Sequence, residues 1–226
     1  MQPKKDPAPN APREAGKPLN PGTQVSRARY APDGRTLAAA CHDGKVRRWD
    51  VSGKEPAELP AVAGHNGWVT TLAFAGHTLF SADSWGRLTA TDVSARDARR
   101  LWTVEEAHDG WLRALAVAPA DAPLATCGKD GFVRFRARDT GEKLYEADLK
   151  ADVLSVCFGA DGKHLFAGDL FGVVREIEVA SGKITRTLDA KELHKLDRIQ
   201  DVGGVKTLML AGDGKTLFVA GAEPKT

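Results

Sequence analysis

From residue 24 onward the chain alternates short apolar runs with turn residues at an even spacing. Five runs stack in phase: VSRARYAPDG (25–34), VTTLAFAGH (69–77), LRALAVAPAD (112–121), VLSVCFGADG (153–162) and VKTLMLAGDG (205–214). Each is rich in β-branched, leucine and aromatic residues and ends in a turn built from Gly, Pro or Asp, the pattern of a buried strand followed by a tight turn. A second run follows each turn: TLAAACHDG, TLFSADSWG, LATCGKDG, LFAGDLFG and TLFVAG. The closing glycines Gly44, Gly86, Gly131 and Gly172 are spaced by 42, 45 and 41 residues. A third run starts at once after each of them, as KVRRWDV, RLTATDV, FVRFRAR and VVREIEV, and a looser fourth falls near 57–63, 99–104, 143–149 and 183–188. Four strands in about 40–45 residues is the period of a propeller blade, not of a helical solenoid.

The two ends depart from this rhythm. Residues 1–22 hold six of the twelve prolines, four basic and two acidic groups, one leucine and no aromatic residue. Such a segment buries too little apolar surface to offset its ordering entropy, so 1–23 reads as a disordered, extended arm. The blades are expected at 24–64, 65–107, 108–150 and 151–188, followed by an insertion at 189–203 and a partial blade at 204–226. In the insertion, Asp189 can cap a short helix with Leu193 and Leu196 on one face. The last unit has only two runs, and a seven-bladed ring would take about 294 residues at this period. The expectation is therefore an incomplete ring from a truncated chain, closed by further blades or a second chain.

The segment HDGKVRRWD (42–50), with Gly64–His65 and the phased Trp-Asp-like positions, resembles the WD-repeat β-propeller family, in the divergent form common in bacterial genomes. The resemblance covers about 24–222. It implies an all-β propeller of four four-stranded antiparallel blades plus half of a fifth. It also implies a structural set of His, Ser or Thr, Asp and Trp in each blade. Blade one supplies Asp43 and Trp49, with Ala39 in the hydroxyl position. Blade two supplies His65 and Ser81, with Trp85 where the Asp belongs and Thr91 where the Trp belongs. Blade three supplies His108, Thr126 and Asp130, with Arg136 in place of Trp. Blade four has Ala167, Phe171 and Ile177 at these positions.

Composition narrows the functional classes. With 42% hydrophobic and 27% charged residues the chain is an ordinary globular protein. Its net charge of +2 vanishes once the arm is removed, which leaves no nucleic-acid or membrane footprint. No apolar run reaches the ~18–20 residues of a spanning helix. Cys41, Cys127 and Cys157 lack CxxC spacing, fall in or beside strands and read as buried and inert. The six histidines form no HExxH or HxH set, so neither metal nor cofactor is expected. Asp33, Asp161 and Asp213 precede glycines, as tight turns require. No nucleophile-elbow, Walker or dinucleotide glycine motif occurs, so the chain is not read as an enzyme.

The aromatic residues carry the remaining signal. The strand phase gathers Trp68, Trp85 and Trp111 on the blade face that WD-repeat proteins use to hold partners, with Thr70, Asp109, Arg113 and Asp152 beside them. Trp and Arg are enriched at binding hot spots. The reading is a non-catalytic scaffold for a protein or peptide partner, placed in the cytoplasm by low cysteine use and the lack of a signal segment. The alternative is a sensor or regulatory part of a larger protein or enzyme whose catalytic portion lies elsewhere.

Overall fold

The computed structural model describes residues 18–118, 123–197 and 200–221. The stacked runs become strands. The first repeat gives β1 (Val25–Tyr30), β2 (Thr36–Cys41), β3 (Val46–Asp50) and β4 (Ala57–Val62). The second gives β5 (Val69–Ala75), β6 (Thr78–Asp83), β7 (Leu88–Asp92) and β8 (Arg99–Val104). The third gives β9 (Leu112–Val117), β10 (Leu124–Gly128), β11 (Phe132–Arg136) and β12 (Lys143–Asp148), and the fourth β13 (Val153–Phe158), β14 (His164–Asp169), β15 (Val173–Glu178) and β16 (Ile184–Asp189).

Each set of four forms one antiparallel sheet in chain order. The first strands β1, β5, β9 and β13 pack side by side around an axis. A fifth unit continues the arc with β19 (Thr207–Leu210) and β20 (Leu217–Ala220), and β19 packs on β13. Among the described residues no helix is long and apolar enough to cross a membrane.

The period-two alternation of the second strands builds the core, because successive side chains face opposite neighbours. In β2, Ala38 and Ala40 meet Val69, Leu72 and Leu79 of the second blade. Ala39 and Cys41 point the other way, against Trp49 and Leu19. Phe80 and Ala82 pack on Leu112 and Leu115, and Ala125 and Cys127 share a cluster with Val153 and Ala167. Small side chains in these strands let adjacent sheets nest closely. Each blade is thus stabilised chiefly by apolar area buried against its neighbours, at about 25 cal/mol per Å².

The Asp-Gly turns form as expected. The Asp33, Asp161 and Asp213 carboxylates accept the N–H groups of Arg35, Lys163 and Lys215 at 2.8–2.9 Å.

Three segments need comment. Most of the expected arm, 1–17, lies outside the described residues, as do 119–122 at the end of the third stacked run and 222–226 at the chain's end. The last part of the arm is anchored: Leu19 packs on the Trp49 cluster, and the Pro21 carbonyl accepts Arg47 Nε at 3.2 Å. The expected helix in 189–203 is replaced by a hairpin. A single 3-10 turn (Lys191–Leu193) leads into β17 (His194–Asp197) and β18 (Gln200–Gly203), which pair antiparallel. At the base of this hairpin Gly203 and Gly204 take positive φ, and the Gly204 N–H donates to Leu193 O at 2.6 Å.

The turn between second and third strands makes the strictest demand on residue type. At Gly86 φ is +84°, and a Cβ would lie 2.1 Å from the His108 carbonyl oxygen. At Gly34, φ is +70° but nothing lies within 4 Å of a Cβ. Gly86→Ala is expected to cost about 2–4 kcal/mol, because backbone strain and a backbone clash add. Gly34→Ala should cost only the left-handed penalty, about 1–2 kcal/mol. Urea denaturation of the two variants checks this, and equal losses would refute the close approach.

Candidate functional site

Two kinds of segment meet at one end of every full blade: the second-to-third-strand turn and the lead-in to the first strand. Backbone bonds tie them, with the N–H groups of Ser84, Lys129 and Leu170 donating to the carbonyls of Trp68, Trp111 and Asp152 at 2.9 Å. Just beyond, all four first strands bulge at the same point. The register slips around Ser26, Thr70, Arg113 and Leu154. A bulge leaves one residue outside the ladder and re-aims its side chain. Thr70 Oγ1 donates across to Leu112 O at 2.5 Å. Arg113 donates Nε and Nη2 to the two Asp152 oxygens at 3.1 and 2.6 Å. Both contacts end at the start of the next blade's first strand. Thr70 is therefore a half-buried tie between blades, and Asp152 is neutralised by a two-point guanidinium bond.

Blade three assembles the structural set expected of it. The buried His108 ring bonds through Nε2 to Thr126 Oγ1 and through Nδ1 to Asp130 Oδ1, both at 2.9 Å. Arg134 Nη1 donates to Asp130 Oδ2 at 2.5 Å and stands 2.7 Å from the ring. Burial, with Arg134 and Arg136 nearby, pushes the His108 pKa down, so the ring is neutral. Burial alone would raise the Asp130 pKa, but the bond from His108, Arg134 and the Asp109 N–H hold it well below the carboxylate range.

Blade two corrects the sequence reading. His65 Nε2 meets Ser81 Oγ at 2.8 Å as expected, but the carboxylate on Nδ1 is Asp83, at 3.2 Å. Asp83 stands two residues before Trp85 and also accepts the N–H groups of Asn66, Trp85 and Arg87. Burial opposes its charge, but these bonds hold its pKa below normal. Trp85 therefore does not stand in for the carboxylate. Asp169 caps the same turn in blade four, accepting the N–H groups of Phe171 and Val173.

A further element was not anticipated: a third-strand arginine pairs the turn carboxylate in three blades, as Arg47–Asp43, Arg134–Asp130 and Arg175–Asp169. Each arginine lies three residues past the closing glycine, a spacing visible in the sequence. Trp49 fills its expected place in the core. Arg136 occupies that place in blade three, donating to Gly141 O and Ala107 O.

The three tryptophans emerge from this framework. Trp68 stacks on His42 with ring centroids 4.7 Å apart and 9° between planes, and meets Trp111 edge-on at 5.7 Å. The Arg113 guanidinium lies 4.7 Å over the Trp111 ring. His42 was not anticipated as part of this row. Trp68, Trp85 and Trp111 remain 47%, 68% and 37% exposed. Trp85 leans on Gly67, where any Cβ would lie 2.5 Å from its Cδ1. It forms a wall between two hollows. One, of about 550 Å³, is lined by His42, Asp43, Trp68 and Trp111; the other, of about 660 Å³, by Glu106, His108, Asp109, Arg134 and Lys143.

Little of this is reactive chemistry. Among the described residues no group of three or more His, Cys, Asp or Glu is placed to hold a metal ion. Burial pushes the thiols of Cys41, Cys127 and Cys157 up, away from the reactive thiolate.

Fanned four-stranded blades, a tight turn after each second strand and a Trp-Asp pair closing the first third strand together define a WD-repeat β-propeller. The family model described as WD domain, G-beta repeat matches residues 19–50. The small ribosomal subunit protein RACK1y of Oryza sativa subsp. japonica is 33% identical over 98 residues, covering 42% of this chain and 29% of that protein. The target of rapamycin complex subunit wat1 of Schizosaccharomyces pombe is 31% identical over 153 residues, covering 65% of this chain and 46% of that protein. In three dimensions the chain resembles one from the crystal structure of the mitotic checkpoint complex, with a TM-score of 0.72 and 20% identity over 89% of this chain and 73% of that one. These comparisons agree with the fold, a WD-repeat type of β-propeller, and place one recognisable WD-repeat unit at residues 19–50. It spans less than half the length of either curated relative. A plant and a yeast supply them, so they give no support to the bacterial type expected from the sequence.

The buried His108 set yields a test. His108→Ala leaves Thr126 and Asp130 short of partners and is expected to cost about 2–3 kcal/mol at pH 7.5. The native pKa of His108 lies below its unfolded value of about 6.5, so the unfolded state takes up the proton first. The wild type's advantage over the variant should therefore narrow as the pH falls from 7 to 5. Urea denaturation at both pH values checks this, and a constant gap would contradict a neutral His108.

Proposed function

We propose that the chain is a non-catalytic scaffold that presents one rigid propeller face to a protein or peptide partner. The observation that carries this reading is the row of exposed indoles held in fixed positions across blades two and three. Trp68 is clamped between His42 and Trp111, Trp111 lies under Arg113, and the Trp85 backbone is pinned by Asp83. Side chains already ordered lose little rotamer freedom when a partner covers them, so more of the burial energy appears as affinity. Tryptophan and arginine are also the side chains that dominate binding energy at protein interfaces. A ribosomal subunit protein and a subunit of the target of rapamycin complex, among the relatives, are by name parts of assemblies. Three free cysteines, two of them fully buried, suit a reducing compartment, and we place the scaffold in the cytoplasm.

The test is to select binders to the purified chain from a random peptide display library, then titrate them against wild type and a Trp68→Ala/Trp111→Ala variant. The variant should lose about 30-fold or more in affinity, the ~2 kcal/mol of a hot spot, with its circular dichroism and melting unchanged. Peptides that bind the folded double variant as tightly as wild type would remove the case for this face.

A further inference from the structure

The most exposed indole of the face, Trp85, borders a hollow whose solvent-exposed charges without an ion-pair partner are both carboxylates. The lead-in to β9 carries Glu105, Glu106 and Asp109. Glu105 is paired with Arg87. Glu106 and Asp109 are exposed, line the hollow with Trp85, and have no cationic partner among the described residues.

The cations that line the same hollow are engaged. Arg134 is bonded to Asp130 and Glu146, and Lys143 to Glu146. Arg136 is buried, with its guanidinium donating to Gly141 O and Ala107 O. An incoming group therefore meets an open indole flanked by two uncompensated carboxylates.

An indole face attracts a cation by about 0.5–1 kcal/mol when exposed, and by about 2 when the pair is desolvated. This chain already uses such contacts, with Arg113 4.7 Å over Trp111 and Arg134 4.8 Å over Phe132. From the geometry we infer that the Trp85 hollow receives a basic side chain, lysine or arginine, from an extended peptide of the partner. The cation lies against the Trp85 ring, and Glu106 and Asp109 supply the counter-charge. The inference rests on the scaffold reading of the same face and adds the chemistry of what docks there. The hollow lined by Trp68 and Trp111 on the other side of Trp85 then takes the neighbouring residues of the same peptide.

The experiment uses the full chain and the peptides selected from the display library. Lysine or arginine should be enriched at one fixed position of the selected set. For a selected peptide, Trp85→Ala should weaken binding at least tenfold and Trp85→Phe less, since a smaller π face remains. Glu106→Gln/Asp109→Asn should weaken it about three- to tenfold, and added salt should do likewise. Replacing the peptide's basic residue by glutamine should abolish the effect of Trp85→Ala, because the two changes remove one contact.

Peptides that need Trp68 and Trp111 but carry no basic residue, or bind folded Trp85→Ala as tightly as wild type, would overturn the basic occupant and leave the scaffold reading intact. Enrichment of acidic residues would overturn it in the same way. A selected set that ignores Trp68 and Trp111 altogether would overturn both.

Discussion

In blades two, three and four, the glycine closing the turn between second and third strands directs its carbonyl at the segment that follows the blade. Gly86 O accepts the N–H of Ala107, Gly131 O that of Leu149 and Gly172 O that of Ala190, at 2.8–2.9 Å. The bond fixes where the chain leaves one blade for the next, and each of the three glycines makes it from a left-handed backbone, which a residue with a Cβ adopts only at a cost. Once that carbonyl is placed, the turn must hold its shape. A carboxylate from the second strand or the turn itself does this by accepting N–H groups in each full blade. In blades two and three the same carboxylate bonds the histidine that leads into the blade's own first strand.

This division of labour explains why the blades tolerate such different polar sets. Each sheet is held mostly by apolar contact with the sheets beside it, so one imperfect set weakens an interface without undoing the arc. Blade two shows the cost. Thr91 stands where blade one has Trp49; its buried hydroxyl has no hydrogen-bond partner among the described residues, and a hollow of about 280 Å³ borders it. Blade three solves the same problem with Arg136, whose stem is buried and whose guanidinium reaches two carbonyls. Burial lowers its pKa, but the two bonds offset much of the desolvation.

The strands were legible because their signals are local: β-branched runs, Asp-Gly turns and a closing glycine every 41 to 45 residues. His65, His108, Thr126 and Asp130 were legible because blade three keeps the family's spacing. Asp83 was not, since the carboxylate sits two positions upstream yet reaches the same ring nitrogen, and spacing alone cannot show that two backbone positions serve one side-chain site. The hairpin at 194–203 was misread for a similar reason. A cap residue and two leucines fit a helical turn, but the pairing of β17 with β18 is a register between two segments, which neither segment shows alone. The bulges left no trace at all, because register is a property of two strands and not of one.

The bulge also accounts for where the recognition chemistry sits. Superposing the repeats places Trp68, Trp111, Asp152 and Gly204 at one position, each immediately followed by a fully buried Val69, Leu112, Val153 or Val205. The buried residue is apolar in these four units because it closes the interface with the preceding blade. The residue before it stands at the rim and is tryptophan in two units, aspartate in one and glycine in another. The bulged residue after it faces the next blade and either ties the two together, as Thr70 does, or reaches across the rim, as Arg113 does to Asp152. Three consecutive positions thus carry three separate constraints. The first can change without disturbing the other two, and a tryptophan there in two successive blades brings the indoles within 5.7 Å. The repeat supplies the spacing and the rigidity, and the choice of side chain at that one free position decides what the face can hold.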